Sequence, residues 1–126
     1  MSIHGAYHYR MRTKLQFPRR VLLVDSDSRF CQRCSGKLRK QGYEVLAAND
    51  GFAALLVLRG GNPDLIIAEL SLPRMSGFEL LSIVRSRFPQ IAVIAISGEY
   101  TPVTVPYQAI CDAFIAKSVS DTQTTG

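Results

Sequence analysis

Apolar residues recur along the chain in short blocks, each closed by a polar cluster and followed by a stretch whose apolar positions fall three or four apart. The first block, Val21-Leu-Leu-Val24 behind Arg20, ends at Asp25-Ser26-Asp27-Ser28. Short polar side chains there suit a helix N-cap, because they accept hydrogen bonds from the free N–H groups of a first turn. Phe30, Cys34 and Leu38 then stand at i, i+4 and i+8, with Arg33, Lys37, Arg39 and Lys40 turned to water. Gly42 stands where a helix stop favours a left-handed residue. The same reading predicts a strand over 43–48 and a helix over 51–59, capped by Asn49-Asp50-Gly51 and closed by Gly60-Gly61-Asn62-Pro63. A third strand covers 65–68 or 65–69. A third helix covers 77–87, with Phe78, Leu81, Ile83 and Val84 as its apolar side. A fourth strand runs over 91–96 and ends at Ser97-Gly98.

Strands alternating with helices at this spacing imply an α/β fold, a doubly wound parallel sheet with right-handed crossovers and helices on both faces. Beyond Gly98 the pattern weakens. A fourth helix is due, but Pro102 and Pro106 lie within it, and a proline inside a helix costs about 3 kcal/mol or more. At most one short turn, near 107–112, fits there. A fifth strand over 113–116 ends at Lys117, and the polar stretch after it has no apolar period, so a fifth helix is missing. The chain thus divides into a basic arm (1–19), one domain (20–117) and a polar tail (118–126).

Charge follows that division. The net +5 is held by Arg10, Arg12, Lys14, Arg19 and Arg20, while the rest of the chain is neutral. The folded body therefore offers no charge argument for nucleic acid, and only the arm does. The arm reads as a flexible terminus, its other readings being a docked strand or helix, or a weak contact to an anionic partner. Three cysteines without a secretory segment fit a reducing compartment, and no apolar run is long enough to cross a bilayer, so a cytoplasmic protein without a membrane contact is expected. Cys31-x-x-Cys34 has no second pair to complete a zinc site, and Cys34 continues the core stripe; the pair reads as structural.

The stretch around which these blocks are organised is Asp64-Leu-Ile-Ile-Ala-Glu-Leu-Ser-Leu-Pro-Arg-Met-Ser-Gly77. Its apolar run reads as a buried parallel strand ending on a lone acid, Glu69, with Pro73 four residues later and Gly77 eight later. Ligands of open α/β sheets bind at the carboxyl ends of the strands. Asp25, Glu69, Ser97 and Lys117 each end a strand and should converge on one pocket.

Taken together, Asp25-Ser26, the Glu69–Pro73–Gly77 spacing, Ser97-Gly98 and Lys117 resemble the receiver domain of bacterial response regulators over residues 20–117. The resemblance implies a flavodoxin-like, five-stranded sheet of order 2-1-3-4-5. It also implies a pocket in which two acids help to hold Mg²⁺ and an aspartate takes phosphate from a histidine kinase. Carried over, Glu69 stands at the phosphoacceptor position, Asp25 is the first acid and Ser26 replaces the second. Ser97 is the hydroxyl, Lys117 the lysine, Phe114 the rotameric aromatic, and Ser71 offers its carbonyl to metal. Three departures follow: Glu69 instead of aspartate, Ser26 instead of an acid, and Ser118 where the family has proline after the lysine. Glutamate places its carboxylate one methylene too far for transfer, and a hydroxyl replaces a carboxylate at the metal, weakening any Mg²⁺ site formed by Asp25, Glu69 and Ser71.

A degenerate, non-enzymatic receiver is therefore expected, independent of phosphorylation and acting as a protein-interaction module of two-component signalling. Glu69 is either a structural acid paired with Lys117 or a partial imitation of the phosphorylated state. The rival readings are an active receiver served by a sensor histidine kinase with Mg²⁺, and nucleic-acid contact through the arm. Without a fifth helix one apolar face of the first and fifth strands would be bare beside the first helix, to be covered by the arm, by a protein partner or second copy in a homodimer, or by further sequence.

Overall fold

Two strands, β3 (Leu65–Glu69) and β4 (Ala92–Ser97), are buried at every position, as a strand covered on both faces must be. In the computed structural model, which describes residues 19–98 and 110–117, they form the middle of a five-stranded parallel sheet with β1 (Arg20–Val24), β2 (Glu44–Ala48) and β5 (Ala113–Ala116). The strand order is β2-β1-β3-β4-β5, as the resemblance implies. Helices α1 (Ser28–Lys40), α2 (Gly51–Gly60) and α3 (Gly77–Arg87) connect the first four strands in chain order. The arm up to residue 18, the proline-containing stretch 99–109 and the tail 118–126 lie outside the described residues, and with them the expectations for the fourth and fifth helices.

Alternation along the strands sorts the core into two layers. Leu22, Val24, Ile66, Ala68, Val93 and Ala95 face α2 and α3, where Ala54, Leu58, Leu80, Leu81 and Val84 meet them. Val21, Leu23, Ile67, Ile94 and Ile96 face the other way, in the layer of Phe30 and Cys34 of α1. Each large aliphatic side chain buried this way contributes about 1.5–3 kcal/mol. On that side Val21 and Leu23 of β1 and Ala113 of β5 are buried and Ile115 of β5 is half-buried, while the arm and tail that bear on the expected bare face lie outside the described residues. The large apolar side chains exposed among the described residues are Leu46, Phe52 and Leu56, on β2 and α2.

The helix boundaries have local causes. Asp27 caps α1 by accepting from the N–H groups of Arg29 and Phe30, and Asp50 caps α2 by accepting from Ala53. At the other end of α1, Gly42 takes φ +98°, and the amides of Gly42 and Tyr43 return to the carbonyls of Arg39 and Leu38. These bonds satisfy carbonyls that the last turn leaves open. The apolar side of α3 differs from expectation: Gly77, Leu80, Leu81 and Val84 are buried, whereas Phe78 and Ile83 are half-buried. The inward stripe runs i, i+3, i+4 and i+7 from Gly77, which rotates the helix toward Leu80.

Candidate functional site

Glu69 is positioned by close packing behind it. The Leu70 amide continues the β3–β4 ladder to the Ile96 carbonyl, and the Leu70 carbonyl accepts from Gly77 N–H at 3.0 Å, bringing the start of α3 against the end of β3. A Cβ on Gly77 would lie 2.1 Å from the Glu69 carbonyl oxygen and 2.6 Å from Leu70 Cα. The eight-residue spacing from acid to glycine is thus a contact requirement. Glu69 is 7% exposed, and its Oε2 accepts from Leu70 N–H at 2.7 Å.

Asp25 reaches the same place from β1. Its amide donates to the Ala48 carbonyl of β2, extending that ladder by one step, and its Oδ1 accepts from Asp27 N–H at 2.9 Å. The residue is 2% exposed. Lys117 arrives from β5, its amide fixed to the Ser97 carbonyl at 2.8 Å. Its Nζ stands 2.7 Å from Asp25 Oδ2 and 3.1 Å from Glu69 Oε1, and 4.3 Å from the centre of the Phe30 ring. One ammonium therefore bridges two carboxylates over an aromatic face, a position that supplements ion pairing by attraction to the ring quadrupole.

The electrostatics are unbalanced. Two acids share one cation in a place from which water is nearly excluded. Burial pushes the Glu69 carboxyl above its ordinary range; Lys117 opposes the shift, and the charge of Asp25 reinforces it. Burial pulls Lys117 downward, but its hydrogen bond to Asp25 and the charges of Asp25 and Glu69 outweigh this and leave its pKa raised. Cys31 sits alongside with its thiol donating to the Asp25 carbonyl at 3.3 Å. Burial and the Asp25 charge push that thiol to about 11, so at neutral pH it is protonated and a poor nucleophile.

The sequence-named residues are not all brought together. Asp25, Glu69 and Lys117 meet directly. Ser97 is wholly buried at the end of β4, and Phe114 is packed inward at 2% exposure. Ser71 is half-buried, its amide 3.5 Å from Glu69 Oε2. Ser26 is exposed and stays outside the buried cluster. Phe30 was legible only as a core residue; its place beneath Lys117 has no sequence signal. Another buried acid, Asp112, was also missed. Its Oδ2 accepts from Val93 N–H at 2.9 Å and its Oδ1 pairs with Arg85 at 3.2 Å, clamping α3 to the strands. An acid immediately ahead of an apolar strand was the signal available.

As arranged, an ammonium lies between the two acids that a Mg²⁺ site would use. Asp25 Oδ1 and Glu69 Oε2 accept from the Asp27 and Leu70 amides, and the ammonium stands against Asp25 Oδ2 and Glu69 Oε1, Oδ2 being buried without an aligned hydrogen bond. The ion wants oxygens in near-octahedral array, and an ammonium occupies the space between the two acids. Among the described residues no group of three His, Cys, Asp or Glu could hold a metal ion.

Comparison with known proteins agrees with this geometry. The response regulator receiver domain family matches residues 21–125. The CAI-1 autoinducer sensor kinase/phosphatase CqsS of Vibrio cholerae is 30% identical over 95 residues, 73% of this chain and 14% of that protein. The two-component response regulator-like APRR9 of Arabidopsis thaliana is 51% identical over 67 residues, 52% of this chain and 14% of that protein. The chain spans between 12 and 35% of the length of such curated relatives. Among solved structures, a CheY-like receiver domain protein of Methanospirillum hungatei superposes with a TM-score of 0.75 at 27% identity, over 83% of this chain and 86% of that one. No helix among the described residues is long and apolar enough to cross a membrane. By sequence match, strand order and the meeting of an acid, a second acid and a lysine at the strand ends, the chain belongs to the response regulator receiver domain family.

Proposed function

We propose that this receiver works without the phosphorylation cycle, as a protein-interaction module whose switch pocket is held in one state by Glu69. The observation that carries the reading is the contact of Lys117 Nζ with Glu69 Oε1 at 3.1 Å, inside a pocket where both side chains are less than a tenth exposed. The resemblance gives this lysine the task of pairing with a phosphoryl group, and here a carboxylate built into the chain has its attention. One carboxylate supplies about one charge against the −1.5 to −2 of a phosphate, so the imitation is partial. The inward Phe114 fits a pocket set in a single state.

Phosphoryl transfer also meets obstacles here. The acceptor would attack from one methylene further out than an aspartate, and such misplacement costs orders of magnitude in rate. The metal that neutralises developing charge lacks a fitting donor set. A partner of this module would read a surface rather than deliver a phosphate, and a sensor histidine kinase would bind it without turnover. Incubation of the full chain with acetyl phosphate and Mg²⁺, followed by intact mass, decides the matter. The expected result is no added phosphate; a mass gain that Glu69→Gln abolishes would overturn the reading in favour of an active receiver.

A further inference from the structure

The neutral sum over the folded body conceals two unlike parts. Residues 21–40 hold five Lys and Arg against two Asp, and residues 41–126 hold five against eight Asp and Glu. On α1 the excess takes a shape. That helix contains no acid, and Arg29, Arg33, Lys37 and Lys40 are all exposed at spacings of four, four and three residues. Such spacings put them in one row along an exposed side of the helix, flanking the face that carries Phe30 and Cys34. At 1.5 Å per residue the row is about 16 Å long. Arg39 stands apart from it, donating to the Val45 carbonyl at 3.0 Å.

The row ends where a second cationic segment begins. After Lys40 the chain turns into β2, whose first residue Glu44 is in register with Arg20, so Lys40 lies at the sheet end that holds the exposed Arg19 and Arg20. The acids at that end are engaged. Glu44 pairs with Arg20, and Asp64 accepts from the amides of Arg19 and Arg20, which hold its carboxyl below the usual range. In sequence, Arg10, Arg12 and Lys14 lead directly into Arg19.

We propose that this α1 row is a binding site for the phosphodiester backbone of a nucleic acid. Charge complementarity requires an anion, and the composition of the surface selects which kind. Protein–protein interfaces are built around an apolar centre depleted of charge. The exposed large apolar side chains of the described residues are on β2 and α2, and α1 offers cations with the polar Ser28 and Gln32 beside them. A phosphate backbone needs only cations at intervals, and each phosphate neutralised releases counterions that drive association. The site is distinct from the Glu69 pocket, since the four cations of the row are exposed whereas Asp25, Glu69 and Lys117 are buried.

The test is fluorescence anisotropy of the full chain with a fluorescein-labelled 20-base-pair duplex across a potassium chloride series. The logarithm of affinity should fall linearly with that of salt. The variant R29Q/R33Q/K37Q/K40Q should bind at least tenfold more weakly at 50 mM salt, with a slope flatter by about 3–4, near 0.9 for each phosphate it no longer neutralises. Glutamine is nearly as good a helix former as lysine or arginine, and an unchanged thermal melt confirms that the variant folds. E69Q should keep the parent's affinity, which separates this inference from the reading of the pocket. Equal affinity and slope for the quadruple variant, absence of binding by the parent at 50 mM salt, or tighter binding of labelled polyglutamate than of the duplex would each overturn it.

Discussion

Removing the Lys117 ammonium while keeping its stem is the sharpest perturbation of the pocket. In Lys117→Met, Asp25 Oδ2 and Glu69 Oε1 lose their shared partner, and these oxygens are no more than about 5.8 Å apart because they lie 2.7 and 3.1 Å from one nitrogen. Two like charges at that distance repel by about 3 kcal/mol at an effective dielectric of 20. Breaking a buried ion pair by deleting one member costs about 3–5 kcal/mol, and Lys117, Asp25 and Glu69 are buried, at 6, 2 and 9% side-chain exposure. The expected loss is therefore about 3–5 kcal/mol at pH 7, a large part of the 5–15 kcal/mol that holds a typical domain together. Urea denaturation at pH 7 measures it. Because Lys117 has a folded pKa above 10.5, its contribution is complete below 10.5 and is lost only as pH rises through the folded value. The penalty should thus be constant from pH 7 to 9 and shrink in acid, as the stranded carboxylates take up protons. Adding Glu69→Gln to Lys117→Met should recover most of the loss by removing the repulsion. A single variant within 1 kcal/mol of the parent, or a double variant no better than the single, would refute this account of the pocket.

Three further outcomes follow from the same geometry. Burial holds Glu69 above its ordinary pKa, so its favourable contribution is complete below about 4.5 and declines as pH rises through the folded value. Glu69→Gln should accordingly raise the denaturation midpoint at pH 7 and leave it nearly unchanged at pH 4. Gly77→Ala puts a methyl 2.1 Å from the Glu69 carbonyl oxygen, so the backbone must move; a loss of about 3 kcal/mol is expected by urea titration, the upper part of the usual range for overpacking. Asp112→Ala strands the mostly buried Arg85 and orphans the Val93 amide, which should lower stability by about 3 kcal/mol, with amide exchange rising first at Val93.

The sheet was legible because burial leaves its mark on sequence. Leu65–Glu69 and Ala92–Ser97 are apolar nearly throughout, and both prove buried at every position. Caps were legible for a chemical reason: Asp27 and Asp50 are short acids ahead of an apolar period, and each accepts from its own first turn. Distances within the pocket were not legible. The sequence pairs Lys117 with Glu69, yet Asp25 makes the shorter contact, because which strand end the β5 lysine meets depends on sheet twist and on the Phe30 ring beneath the ammonium. The charge row on α1 was visible residue by residue, but a net count over the whole body cancelled it against acids on other elements. Asp112 and Arg85 are 27 residues apart, and no local pattern joins such a pair.

Asp50 has two obligations. One oxygen caps α2 through the Ala53 amide, and the other pairs with Arg74, which holds φ +66° in the loop after Glu69. A non-glycine residue in that conformation costs roughly 1–2 kcal/mol, and glycine would adopt it without strain. The two positions are therefore free to change in one order more easily than in the other. Arg74 can become glycine first, gaining a relaxed backbone while the buried Asp50 keeps its bond to the Ala53 amide and loses only its exposed counter-charge, after which serine at position 50 need only cap a helix. The reverse order passes through a chain that keeps a strained arginine with no counter-charge to hold it. A lineage of such chains should show glycine at 74 wherever 50 has lost its acid.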